Sequence, residues 1–196
     1  MRFFKNNSDN IIKLFINQIG VAIFSMFLYT AAGAINSNDG TRLIIKVMIS
    51  VFAIAFYFVL IYTVTWEIGA KDKIRIDGGR MEPEEKKGVL LGLYANAFNV
   101  AVIGIAIILY SVFLISGAEG FRSAFAILNL IFRFFASMYL GMIQLITASI
   151  TDENMLYLIQ TVLFFVFSFF TPFVSWLGYK LGRRDFRLFP QTSKKQ

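Results

Sequence analysis

Apolar residues gather into five long runs, at about 14–34, 43–66, 88–116, 121–150 and 155–182, with short polar stretches between them. Each run reaches the roughly 20 residues that a helix needs to cross a hydrocarbon core of about 30 Å. The pattern predicts an all-α integral membrane protein, a polytopic bundle in a single transmembrane domain over 1–196. A polar loop at 67–87 and a basic tail at 183–196 complete it. Four runs are expected to cross the membrane.

The run at 121–150 differs in its polar positions. Arg122, Asn129, Arg133, Ser137, Gln144 and Thr147 or Thr151 follow one another at helical spacing and return to one face. This predicts an amphipathic helix that either crosses or lies at the outer interface with its stripe toward water. A re-entrant hairpin broken near Arg133 ranks behind both, because it needs protein cover for its backbone and has no Gly or Pro at the bend. Arg133 is the one charge deep within an apolar run. Placing an arginine at the centre of a membrane helix costs roughly 2.5–3.5 kcal/mol on insertion scales. Such a group calls for a partner or a task. Asn129 and Gln144 on its own stripe, and Asn96 and Asn99 on the third run, are the candidate companions for a ligand or lipid contact. The bland alternative is an arginine that snorkels to the surface.

Charge between the runs sets an expected topology, since Lys and Arg concentrate in short cytoplasmic loops. Five crossings with the N-terminus inside give nine basic residues on each side, and no orientation follows. Without a crossing at 121–150, fifteen fall inside and three outside (Arg42, Lys46 and Arg122). Both termini are then cytoplasmic in a multi-pass protein of the cell membrane. The second run ends Trp66-Glu67-Ile68-Gly69-Ala70-Lys71 and the last Trp176-Leu177-Gly178-Tyr179-Lys180. An interfacial Trp followed by a basic anchor marks a cytoplasmic exit, so both helices are expected to leave on the same side. Ala32-Gly33-Ala34 resembles a signal cleavage site, but the preceding apolar run exceeds the usual 7–15 residues, which favours a retained helix.

Smaller signals refine the elements. Lys73–Met81 alternates polar and apolar residues around Asp77-Gly78-Gly79, which predicts a β-hairpin in the polar loop. Glu82-Pro83-Glu84-Glu85 reads as the start of the third helix. That helix opens with a small-residue row, Gly88, Gly92, Ala95 or Asn96, then Asn99, suited to close packing. Pro172 predicts a kink near 169–172. The tail interleaves arginines with Phe186 and Phe189 and fits anionic headgroups.

Composition narrows the chemistry. Hydrophobic residues make up 57% of the chain, above the 45–50% of soluble domains. The net charge is +7, and because the basic residues flank membrane runs, lipid is the expected partner rather than nucleic acid. Abundant Lys, Ile, Asn and Phe point to an AT-rich bacterial genome. The chain has no cysteine and no histidine, which removes disulfides, thiolate chemistry and the commonest base and metal ligand. No Walker A sequence is present. The expectation is a protein that is not an enzyme and carries no cofactor. Its foremost reading is a subunit of a larger membrane assembly, with a membrane or cytoplasmic protein partner. A carrier for a small anionic or zwitterionic solute, with Arg133, Asn129 and Gln144 along its path, is the alternative.

Overall fold

The computed structural model describes residues 2–186. Most of the basic tail, and with it the expected headgroup contact, lies outside those residues. The described chain is all-helical: α1 (Arg2–Ala34), α2 (Asp39–Asp77), α3 (Lys87–Ser116), α4 (Glu119–Phe135), α5 (Leu140–Ile146), α6 (Glu153–Ser168) and α7 (Phe170–Arg183). A 3-10 turn, Ser137–Tyr139, joins α4 to α5. Four spans are long and apolar enough to cross a membrane: α1, α2, α3 and the pair α6–α7.

Local chemistry sets the helix ends. Asn38 caps α2 by accepting from the Thr41 amide at 2.7 Å, and Asp152 caps α6 by accepting from the Met155 amide at 2.7 Å. Gly117 ends α3 in a left-handed conformation (φ 68°) that glycine tolerates, its amide reaching Phe113 O at 2.8 Å.

Two expectations for the polar loop are corrected. No strand forms among the described residues. The stretch expected to open the hairpin is instead the last turn of α2, and Gly78-Gly79 ends that helix, Gly79 at φ 67°. A lone two-stranded hairpin is marginal, whereas continuing the helix lets Asp72 and Gly69 pack on α7. The non-helical connection shrinks to 78–86, and α3 begins at Lys87 rather than at Pro83. The expected kink is present: α6 and α7 meet at Phe169. Pro172 has no N–H to give to Ser168 O four residues back. Asn96 Nδ2 donates to that carbonyl instead, at 2.7 Å.

Glycines draw α2, α3 and α7 together. A methyl group at Gly178 would strike Thr65 Oγ1 and come within 2.8 Å of Tyr62 O; at Gly182 it would strike Trp66 O. At Gly92 it would lie 2.6 Å from Pro172 Cα. These contacts also place the two Trp-to-Lys exits at the same end of the bundle, here called the Lys87 end.

The run at 121–150 is neither one straight helix nor one flat one. It is bent by 81° between α4 and the Ser137–Ile146 section. α4 enters at the end of the bundle opposite Lys87, where Phe125 packs at a tilt against Tyr110 (4.3 Å between centroids), and the start of α6 meets the same Tyr110 through Asn154 at 3.1 Å. α4 therefore starts at this Asn38 end and the chain is back at it before α6, which gives the run the shape of a hairpin. The cover it needed is present. Ser137 Oγ donates to Ala22 O at 2.9 Å and shares a hydrogen bond with Ser25 Oγ at 2.6 Å. The Gly141 amide donates to Ser50 Oγ at 2.8 Å, and a side chain on Gly141 would strike Lys46 O. The break sits at Ala136, three residues beyond Arg133, and the glycine that serves it lies after the bend.

Candidate functional site

The hairpin folds the polar stripe around a space rather than along a line. Arg133 occupies the last turn of α4, half-buried. Its Nε donates to Asn129 Oδ1 at 2.9 Å, one turn back, and its Nη2 donates to Gln160 Oε1 on α6. Gln160 Nε2 in turn donates to Thr147 Oγ1 at 3.1 Å, just past α5. Gln144 Oε1, on α5, accepts from Tyr29 Oη of α1 at 2.7 Å. The amides thus tie α4, α5, α6 and α1 around one cavity of about 370 Å³, lined by Arg133, Tyr29, Gln144, Gln160, Tyr157 and Glu153 among others.

The lining holds one cation, Arg133, and one carboxylate, Glu153, and the two form no ion pair. Among the described residues no carboxylate lies within ion-pair distance of Arg133. Its partners are neutral amides, which orient a guanidinium without neutralising it. Of its five N–H donors, two are engaged. A second cation stands nearby, since Lys46 Nζ lies 4.8 Å from the centre of the Tyr29 ring. Glu153 is exposed and lines the same cavity. The arrangement suits an acidic group at Arg133, with room for an ammonium toward Glu153.

The floor is apolar. Ile143 and Phe164 line it, each 1% exposed. Phe164 packs edge-on against Phe132 at 5.3 Å, and Phe135 against Phe98 at 5.1 Å. This aromatic layer separates the cavity from a second polar cluster two turns further along α6.

That second cluster holds the other two sequence candidates. Asn96 accepts from Gln18 Nε2 at 3.2 Å and from Asn99 Nδ2 at 3.4 Å while it donates to Ser168 O. Both asparagines are buried. They join α1, α3 and α6 and do not face Arg133. The five candidates therefore divide: Arg133 and Gln144 line the cavity and Asn129 braces Arg133 from one turn back, whereas Asn96 and Asn99 belong to a packing network around the α6–α7 break. Gln160, Tyr29 and Glu153 are cavity residues that sequence reasoning passed over. Gln160 carried a signal, as the one amide inside the apolar stretch of α6.

An unforeseen charged group lies at the Lys87 end. Lys87 Nζ is 2.7 Å from Asp72 Oδ2, with both side chains buried, and Tyr179 Oη donates to the same oxygen at 3.0 Å. The sequence reading put Asp72 in the polar loop at 67–87; it enters the packed interior through the helical extension of α2. No protein-family model, no curated protein and no solved structure matches this chain.

Proposed function

We propose that the chain is a non-enzymatic subunit of a larger membrane assembly. Its own task is to hold a small anionic or zwitterionic group on the outer side of the cell membrane, at Arg133. One observation carries this reading: a half-buried arginine, hydrogen-bonded to neutral amides, faces a cavity of about 370 Å³ with a mixed polar and apolar lining. The volume falls in the range of ligand sites, roughly 300–1,000 Å³. Charge supports an orientation. With the hairpin returning to the Asn38 end, that end carries Arg42, Lys46 and Arg122, whereas the start of α1, the 78–86 connection and the end of α7 lie at the opposite end, which the bias of basic residues assigns to the cytoplasm.

The packed aromatic floor favours a binding subunit over a stand-alone carrier. A solute leaving the cavity toward the cytoplasm has to part Phe164 from Phe132 and then pass the Asn96 cluster. A partner chain that supplies the path, or the driving force, fits this blind cavity better.

Topology and binding are both testable. The chain has no cysteine, so each introduced thiol is unique. Asn36→Cys, Gly117→Cys and Thr151→Cys are expected to react with a membrane-impermeant maleimide from outside, and Glu82→Cys only after permeabilisation. Labelling of Gly117 and Thr151 from opposite sides overturns the re-entrant topology. Purified protein is expected to melt at higher temperature in phosphate or acetate than in an equal ionic strength of a non-coordinating salt, and Arg133→Gln is expected to abolish that difference. An undiminished response in Arg133→Gln overturns the binding role.

A further inference from the structure

We propose that the group held at Arg133 is the acidic head of a membrane amphiphile, whose acyl chain lies in an apolar groove on the outer wall of α4. The inference rests on the anion-binding reading above and names its ligand class.

The groove is a second cavity, of about 470 Å³. It shares Tyr29, Arg133 and Leu140 with the polar cavity. Its remaining lining is apolar, chiefly Leu130, Ile131, Phe134 and Met26. Leu130 is 71% exposed, so the groove opens sideways, toward the surface that a hydrocarbon phase would cover. The guanidinium sits at the junction of the two cavities, and a Lys46 ammonium rests over the Tyr29 ring that borders both. A ligand with one acidic head and one long apolar chain meets each of these features. A water-soluble anion uses the polar half and leaves the apolar half unexplained.

Charge supports the same occupant. Among the described residues no carboxylate lies within ion-pair distance of Arg133, and a cation that borders hydrocarbon is costly. A carboxylate or phosphate arriving with its own chain brings the counter-charge and fills the apolar half at the same time.

The test uses the full chain in nanodiscs of neutral phosphatidylcholine. The probe is palmitic acid with a diazirine on its chain, cross-linked by light and mapped by peptide. Label is expected in the segment containing Leu130–Phe134, competed by unlabelled palmitate and not by acetate. Arg133→Gln is expected to reduce it about tenfold, the scale of one lost charge-assisted contact. Ile131→Trp, which fills the groove, is expected to remove the label while the phosphate- and acetate-induced rise in melting temperature remains. Leu130→Trp provides a second filling variant should the first fail to fold. Label spread over all lipid-facing helices, or label at the groove that ignores Arg133→Gln, overturns the amphiphile proposal. If Arg133-dependent stabilisation by phosphate persists alongside diffuse labelling, the site takes a small free anion and only this inference falls. Loss of both responses removes the anion-binding reading with it.

Discussion

The two ends of the bundle place buried charge in opposite settings. At the Lys87 end, α2, α3 and α7 approach through glycines until backbone touches backbone. The buried charge there is closed in one pair: Asp72 takes both the Lys87 ammonium and the Tyr179 hydroxyl, and beside it the neutral Ser175 Oγ donates to Gly88 O at 2.6 Å. Cavities occur at both ends, and Lys87 itself borders one of about 420 Å³; the difference lies in the charge. At the Asn38 end, Arg133 borders two cavities and its hydrogen-bond partners are amides. A buried charge with its counter-charge present is part of the packing. A half-buried charge without an ion-pair partner, beside a cavity, is a site in waiting.

The comparison breaks most visibly at Asp72. Asp72→Ala leaves the Lys87 ammonium buried without a counter-charge, and the loss is expected to be about 3–5 kcal/mol. Denaturant unfolding of the purified protein measures it. The double variant Asp72→Leu with Lys87→Leu is expected to recover most of the loss, because the penalty belongs to the orphaned charge rather than to the missing attraction. A loss of less than about 1 kcal/mol on Asp72→Ala, the scale of a solvated surface pair, contradicts the closed picture of this end.

Glycines give the next effect, and its sign depends on place. Gly178→Ala drives a methyl group into Thr65 and Tyr62, and forced overpacking of this kind typically costs about 1–3 kcal/mol. Gly20, in α1, has nothing within 4 Å of the same added methyl. There the change to Ala relieves a helix of a flexible residue and is expected to stabilise by about 0.5–1 kcal/mol. Melting temperatures of the two variants, side by side, read the contrast. Equal shifts mean that the α2–α7 contact yields more easily than its spacing implies.

What was legible in the sequence followed from local chemistry. Hydropathy marked the four helices long and apolar enough to cross a membrane, Pro172 marked the break at Phe169, and Gly88 and Gly92 marked a packing face. Arg133 stood out because an apolar run exposes any charge within it. The bend at Ala136 was hidden because its causes are distant: Ser25 and Ser50 satisfy it from 112 and 91 residues away in the chain. Asp72 was hidden for a related reason. In the sequence it sits among charges that read as a solvated loop, and only the packing of α2 on α7 buries it. Asn96 was found for its polarity, but its bond to Ser168 O, a carbonyl freed by a proline on another helix, required the fold.

The smallest expected effect on stability belongs to the residue placed at the centre of function. Arg133→Leu removes two hydrogen bonds, each worth roughly 0.5–1.5 kcal/mol net. It also removes a cation whose insertion costs roughly 2.5–3.5 kcal/mol. The two largely offset. Gln160 is not stranded, because it still donates to Thr147 and lines a cavity that water can enter. Unfolding in ligand-free buffer is therefore expected to change by no more than about 1 kcal/mol in either direction, against the several lost at Asp72, while stabilisation by phosphate disappears. A loss at Arg133 as large as that at Asp72 makes the arginine a brace between α4 and α6, and the distinction between a closed and an open end disappears with it.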